Sequence, residues 1–525
     1  MMPRPRVNRQ CQFGIGGSVC AALPAFVLQC AKVHPQEVRM ATSSIGHHTL
    51  ARLLVEWSSR PGPMVSRLSS ALAALIRDGR LPAGTRLPSE RALAAALGVS
   101  RNTVAAAFDE LRADGVLISR RGAGTFVSRG GRSARASGDE RLADYAIAPT
   151  GHGVAIDLRS AALPGLDLVN EAIAALNLDE IRPLVSSHGY MPRGMGELRA
   201  TVADYYTALG LPTSADEILI TSGAQQGLRL AMHALLEPGA TVLVEDPSFR
   251  GVLDILRAAG ARVEPGVPRS QPLNDAAMRA AIAESRPALI IVQSVVHNPI
   301  GTAMTPAEKR VLASISEELD IPVVDDVALL DTFIGDRPPR PLAAYGGKTI
   351  TVGSASKSFW GGLRIGWVRA HPQLISRLAS LKAGDDLGTS VILQLVTQHL
   401  LSRIDEARQA RNDFLEEARD ECLHAVRKHL QGWEFIEPTG GASLWVRLPY
   451  GSATTLAQLA EREGVLLFAG PVFSAAHEQD DHIRIAYSGP ADRVLAGVEA
   501  IARAWRSIER TPVDTATHPD ELRRA

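Results

Sequence analysis

The sequence predicts an α/β main domain, with a mostly parallel sheet between helices, preceded by a small winged helix-turn-helix domain. Three observations lead there. The chain has 525 residues, more than one ordinary core accommodates. Between about residues 151 and 508, short apolar runs alternate with segments of helical periodicity. Between about 60 and 130, two helices joined by a tight turn precede a basic-tipped hairpin. The expected divisions are an extension at 1–45, the small domain at 60–130, a linker at 131–150, the main domain at 151–508 and a tail at 509–525.

Composition is ordinary for a globular chain, with 46% hydrophobic and 21% charged residues. Formal net charge is zero, so any basic partner surface must be local. Three of the four cysteines, Cys11, Cys20 and Cys30, fall in the first thirty residues, and Cys422 stands alone in the body. No disulfide framework or metal spacing emerges, which fits a reducing, cytoplasmic compartment. No apolar run approaches the ~20 residues of a membrane span.

Residues 1–39 carry early arginines and a mildly apolar stretch, Val19 to Leu28, broken by Pro24. No small-x-small cleavage site follows a continuous apolar core, so a signal peptide fits poorly. A disordered extension is expected, or an upstream start codon with Met40 as the alternative start.

In the small domain, Val65, Leu68, Leu72, Leu75 and Ile76 recur at helical spacing until Gly79 and Pro82 stop the helix. Ser89 is the expected N-cap of a second helix, with Leu93, Ala94 and Leu97 inward. Gly98-Val99 makes the turn. Ser100 caps a third helix that presents Val104, Phe108 and Leu111 on one face. Two alternating segments, 116–118 and 125–127, then flank Arg120 to Gly124 as a hairpin. Between Pro61 and Gly130 ten arginines stand against five acidic residues, although the chain total is zero. Such a local excess is the footprint of phosphate-backbone binding. A small helical bundle that docks protein is the plainer alternative, and the helix order with its basic wing weighs against it.

The runs Gly79 to Ala94, Gly98 to Val104 and Gly122 to Val127 resemble the DNA-binding domain of the GntR family across the whole segment. The resemblance implies operator contacts by Arg91, by Ser100, Arg101, Asn102 and Thr103 at the third helix's start, and by Arg121 and Gly122 at the wing tip. Arg101 and Asn102 at a helix N-terminus suit base edges in the major groove, and Arg91 and Arg121 suit phosphates. Many relatives carry an arginine where Ala105 stands here. Residues 129–139 are small, polar and basic, and read as a flexible linker.

In the main domain the strand candidates are 217–221, 241–245, 261–264, 288–293, 323–325, 349–352 and 365–368. Helices are expected at 224–236, 251–259, 274–284 and 306–319. In such a fold sites lie at the C-terminal ends of strands, and polar signatures fall there. The central one is Gly353 to Trp367, where Lys357 stands among Ser354, Ser356 and Ser358, with Arg364 seven residues on. A lysine there can form an imine with an aldehyde cofactor whose phosphate the hydroxyls and guanidinium hold. A Gly-rich turn with two solvated cations is the plainer reading. Gly223-Ala224 opens a helix whose free N–H groups suit a phosphate. Phe249 follows a strand and can cover a flat ring. Asn298 offers an amide, and Asp325-Asp326 a buried carboxylate for a protonated pyridine nitrogen. Arg484, in an alternating strand, suits a carboxylate. His477 to His482 reads as a solvated turn, and no metal site is expected.

These features, in this order, resemble the fold-type I, class I aminotransferases over about Asp157 to Arg503. The resemblance implies pyridoxal 5′-phosphate (PLP), with Lys357 as the Schiff-base lysine and Asp325 as partner of the pyridine nitrogen. It puts Asn298 at the ring oxygen, Phe249 on the ring, and Gly223, Ala224, Ser354, Ser356 and Arg364 at the phosphate. Arg484 takes a substrate carboxylate, and Tyr190 reaches the neighbouring subunit's phosphate in a dimer. A tyrosine usual two or three residues after the aspartate is missing, with Val327 and Ala328 there instead, which points away from efficient transamination. The fusion resembles the MocR subfamily of bacterial transcription regulators. That implies a domain-swapped, head-to-tail homodimer on double-stranded operator DNA, tuned by an amino acid, an amine or PLP itself. A working aminotransferase with a DNA-binding appendage is the alternative.

Overall fold

The computed structural model describes residues 45–54, 57, 63–77, 81, 85–113, 116–120, 124–127, 156–269, 272–476 and 478–509, which divide into units 1–141 and 142–525. The expected linker and wing tip, the extension before Ile45 and the tail after Glu509 lie outside the described residues.

In the first unit, helices Met64–Arg77, Glu90–Leu97 and Arg101–Ala113 form where the periodicity placed them. Leu68, Leu72, Leu93, Val104, Phe108 and Leu111 make one buried cluster. An additional helix, His47–Leu53, brings Leu50 into the same core, so the unit begins before residue 60. Ser89 Oγ accepts from Ala92 N at 3.3 Å, and Gly98, at φ 66°, closes that helix in the left-handed conformation that favours glycine. Strands β1 (Leu117–Arg120) and β2 (Gly124–Val127) pair antiparallel as the wing.

The second unit opens with β3 (Ile156–Asp157). Seven strands then form its main sheet: β4 (Ile218–Thr221), β5 (Thr241–Asp246), β6 (Arg262–Pro268), β7 (Leu289–Val292), β8 (Val323–Asp326), β9 (Thr349–Ser354) and β10 (Gly366–Arg369). Their order is β4-β10-β9-β8-β7-β5-β6. Strands β9, β8, β7, β5 and β6 run parallel, and β10 is antiparallel to both of its neighbours. Side chains alternate between the faces. Val244, Ile291, Val324 and Val352 pack on the side of helices Ala224–Leu235 and Arg250–Ala258. Leu243, Val292 and Val323 pack on the side of helices Asp275–Ser285 and Pro306–Glu318.

A smaller antiparallel sheet comprises β11 (Glu434–Phe435), β12 (Ser443–Arg447), β14 (Phe468–Ala469) and β15 (His482–Ala486), in the order β11-β12-β15-β14. Between them in sequence, β13 (Val465–Leu466) pairs parallel with β3, so the start of this unit closes onto its end. The long helix Ile404–His429 joins the lobes: Ala407 packs in the main-sheet cluster, and Leu415 and Val426 in the small-lobe cluster. No helix among the described residues is long and apolar enough to cross a membrane.

Candidate cofactor site and nucleic-acid interface

Three residues at the start of helix Arg101–Ala113 are arranged by its cap. Ser100 Oγ accepts from Thr103 N at 3.1 Å and meets Thr103 Oγ1 at 2.8 Å. With both hydroxyls engaged locally, Arg101 and Asn102 are the exposed groups left to reach a partner. Glu90 lies 3.6 Å from Arg101 and 3.4 Å from Arg112, and Arg91 is exposed beside it. Arg121 and Gly122 lie outside the described residues.

In the second unit, β9 runs straight into a single helical turn, Ala355–Ser358, that carries Lys357. Its Nζ donates to Ala161 O at 3.0 Å and opens onto a pocket lined by Asn298, Leu329, Thr332 and Gly441. Burial, then the positive charges of Arg484 and Arg411, push the lysine pKa down to about 8. A neutral amine is the nucleophilic form.

The phosphate-site candidates converge. Ser354 Oγ accepts from Ser356 N at 3.2 Å, and Ser356 Oγ is buried without a hydrogen-bond partner among the described residues. Arg364 Nη2 donates to Ser222 O at 3.1 Å, beside the N-terminus of helix Ala224–Leu235. Gly223 has φ 88°, and a Cβ there would lie 2.9 Å from Arg364 Nη2. A hydroxyl with open capacity, a guanidinium and a helix N-terminus with no side chain in the way fit a phosphate. Thr389, whose Oγ1 is 3.3 Å from Ser222 Oγ, joins this cradle and carried no local sequence signal.

Arg484 donates from Nη1 to Asn298 Oδ1 at 3.1 Å and from Nη2 to Arg159 O. Its guanidinium lies 4.8 Å from the Phe473 ring and 5.5 Å from that of Phe468. Phe249 stands at the N-cap of helix Arg250–Ala258, packed with the cluster that includes Ala224. Tyr190 is 59% exposed and stacks on His188.

The two neighbouring aspartates have different partners. Asp325 follows Val323 in the alternation and lies on the side of helix Pro306–Glu318, whose Lys309 acts on it electrostatically. Its Oδ1 accepts from Ser294 N at 2.9 Å, and its Oδ2 from Ser294 Oγ at 2.8 Å and Leu342 N at 3.0 Å. Asp326 follows Val324 and shares the face of Phe249 and Ala224. It accepts from Gln293 Nε2 at 3.2 Å and Ala328 N at 3.1 Å. Burial raises both pKa values, Asp326 to about 6. Leu329, three residues after Asp326, lines the Lys357 pocket, and no tyrosine is among the described residues that line it.

His477 lies outside the described residues. His482 meets Asp481 at 2.7 Å and stacks on Trp445, and the described residues hold no cluster of three metal-ligating side chains.

Residues 156–501 match the family Aminotransferase class I and II. The chain belongs to this family. Residues 65–127 match the gntR family of bacterial regulatory proteins, so the first unit carries a GntR DNA-binding domain. The HTH-type transcriptional regulator TauR of Rhodobacter capsulatus is 31% identical, over 85% of this chain and 97% of its own. The probable rhizopine catabolism regulatory protein MocR of Rhizobium meliloti is 27% identical, over 87% and 97%. The alpha-aminoadipate aminotransferase LysN of Thermus thermophilus, solved with N-(5'-phosphopyridoxyl)-L-leucine, superposes with a TM-score of 0.61. It is 27% identical and covers 68% of this chain and 93% of that one. The chain is therefore a helix-turn-helix regulator of MocR organisation with a fold-type I aminotransferase domain, and the cofactor of that domain's family is PLP.

Proposed function

We propose that this regulator senses an amino acid, an amine or PLP at the Lys357 pocket and converts occupancy into altered operator binding. The observation that carries this reading is the Lys357 amine, kept short of full charge beside a phosphate cradle, in a chain with a DNA-binding head. When bound, PLP supplies an aldehyde and an electron-withdrawing ring. Lys357 holds it, and Ser356, Arg364 and the N–H groups after Gly223 bind its phosphate. Phe249 covers the ring, Asn298 meets its oxygen, and Asp326 rather than Asp325 faces the ring nitrogen. Arg484 receives an effector carboxylate, exchanging its bond to Asn298 for one to the ligand. Leu329 supplies no proton where a transaminase tyrosine would.

Two copies are proposed to share sites. The helix Leu178–Val185 has no buried residue, and Leu178 and Val185 are 64% and 73% exposed near the exposed Tyr190. Two heads would then read two half-sites, and effector affinity and operator affinity would change reciprocally. Domain limits follow the two described units, and the protein works in the cytoplasm.

The test is binding of the full chain to DNA from its own upstream region, with and without PLP and candidate amines. An affinity that responds to them in wild type and not in Lys357→Ala supports the reading. A working aminotransferase is the second reading, favoured by the presence of Lys357, Asn298 and Arg484 together around one pocket. Sustained turnover of an amino donor with an oxo-acid, without operator binding at moderate salt, would establish it instead.

A further inference from the structure

Arg411 is 1% exposed on the long helix Ile404–His429. Its Nε donates to Ser358 O at 3.1 Å, and its Nη2 donates to Phe359 O and Pro164 O, both at 2.7 Å. Ser358 follows Lys357 directly, so two of these carbonyls end the single turn that carries the lysine. Such C-terminal carbonyls lack intrahelical partners. Burial alone shifts the guanidinium, whose pKa falls to about 10, because no carboxylate among the described residues compensates it. A buried cation without a counter-ion is costly, and two features account for this one. It ties the Lys357 turn and the segment at Pro164 to one helix. It also stands, with Arg484, against a charged Lys357.

The helix bridges two cores, with Ala407 in the main-sheet cluster and Leu415, Cys422 and Val426 in the small-lobe cluster. A shift of the small lobe therefore reaches the Lys357 turn through Arg411. We propose that Arg411 is the positioning residue that fixes the Lys357 turn to this helix, so that the cofactor lysine follows the movement of the small lobe. This rests on the reading of Lys357 as the cofactor lysine.

The groups facing Lys357 are Arg484 from β15, Arg411 from the long helix, and His297 and Asn298 from the loop after β7. Burial lowers the His297 pKa, and Glu245, 3.4 Å from its Nε2, opposes that shift. Asp331, behind Ser358, is bonded to Tyr205 and Arg408. Burial contributes most to the lysine's lowered pKa, followed by Arg484 and then Arg411.

The experiment uses full-length protein stripped of cofactor. Acylation of Lys357 by a small reagent is followed against pH by peptide-resolved mass spectrometry, and PLP capture is timed separately. In Arg411→Gln the acylation midpoint rises by a fraction of a pH unit, since burial and Arg484 contribute more to the shift than Arg411 does, and capture slows. In Arg411→Lys, which keeps the charge but reaches fewer carbonyls, the midpoint stays and capture slows. An unmoved midpoint in folded Arg411→Gln, or wild-type capture in Arg411→Lys, overturns the proposal. If Arg411→Gln does not fold by circular dichroism, Arg411→Lys decides alone. Wild-type protein that never captures PLP on Lys357 refutes the cofactor reading, while the acylation midpoint still tests Arg411.

Discussion

Asp325 and Asp326 are neighbours in the chain, yet their carboxylates serve opposite faces of the main sheet. Asp325 accepts three hydrogen bonds, from Ser294 N, Ser294 Oγ and Leu342 N, while Asp326 accepts two, from the Gln293 amide and the Ala328 N–H. The first residue is a fastening between β8, the loop after β7 and the segment at Leu342. The second is the one we propose to meet a ligand. Their substitutions should separate accordingly.

Asp325→Asn exchanges an acceptor-only group for one that brings donors toward two backbone N–H groups. It should cost about 1–3 kcal/mol of stability, read as a lower denaturant midpoint. Asp326→Asn should keep the fold and lose PLP, read as faster dissociation of the cofactor on dilution. An equal loss of PLP from both variants would remove the distinction.

Asp326 also predicts a pH dependence. Its native pKa is raised to about 6 from the ordinary 3.8, chiefly by burial, so the native state holds the proton more tightly than the unfolded chain. The favourable contribution is full below about pH 4 and fades as pH rises through about 6. Cofactor-free wild type should therefore lose stability over that window relative to Asp326→Asn, in thermal melts taken at each pH.

Much of the candidate site's placement was legible because its parts follow strands in order. The β-branched run before Gly353, and the Ser, Gly and Pro punctuation after each strand, placed Lys357, Asn298, Phe249 and Gly223 at strand ends. The orientation of the aspartates was not legible. Strand β8 is buried on both faces, so its sequence lacks the polar alternation that distinguishes one face from the other. Thr389 and Arg411 were invisible for another reason. Arg411 meets Ser358 across 53 residues and Pro164 across 247, and no local pattern encodes such pairings. The helix His47–Leu53 was too short to declare itself by periodicity.

Lys357 should be costly to the fold that carries it. Its native pKa is lowered to about 8 from 10.5, first by burial and then by Arg484 and Arg411. Between those values the unfolded chain binds more protons, so stability from this group rises with pH from about 8 to 10.5 and is absent at neutral pH. Lys357→Met should stabilise the cofactor-free protein at pH 7 by about 1–3 kcal/mol, while removing reducible PLP attachment. A destabilised variant would contradict the sign.

The DNA-binding head predicts two separable losses. Arg101 and Asn102 are exposed at the start of a helix capped by Ser100, so their side chains can meet base edges without disturbing the fold. Asn102→Ala should cost about 1–3 kcal/mol on operator DNA and relax preference at one position, with little effect on random-sequence binding. Arg91, exposed at the start of the preceding helix, suits a phosphate. Arg91→Ala should weaken operator and random DNA alike and lower the slope of log affinity against log salt by about one. Ser100→Ala tests the scaffold. Loss of the cap should cost about 1 kcal/mol of stability and lower affinity for both DNAs through fraying of the helix start. Fluorescence anisotropy across a salt series distinguishes all three. If Arg91→Ala changed sequence preference and left the salt slope intact, its assignment to the phosphate backbone would be wrong.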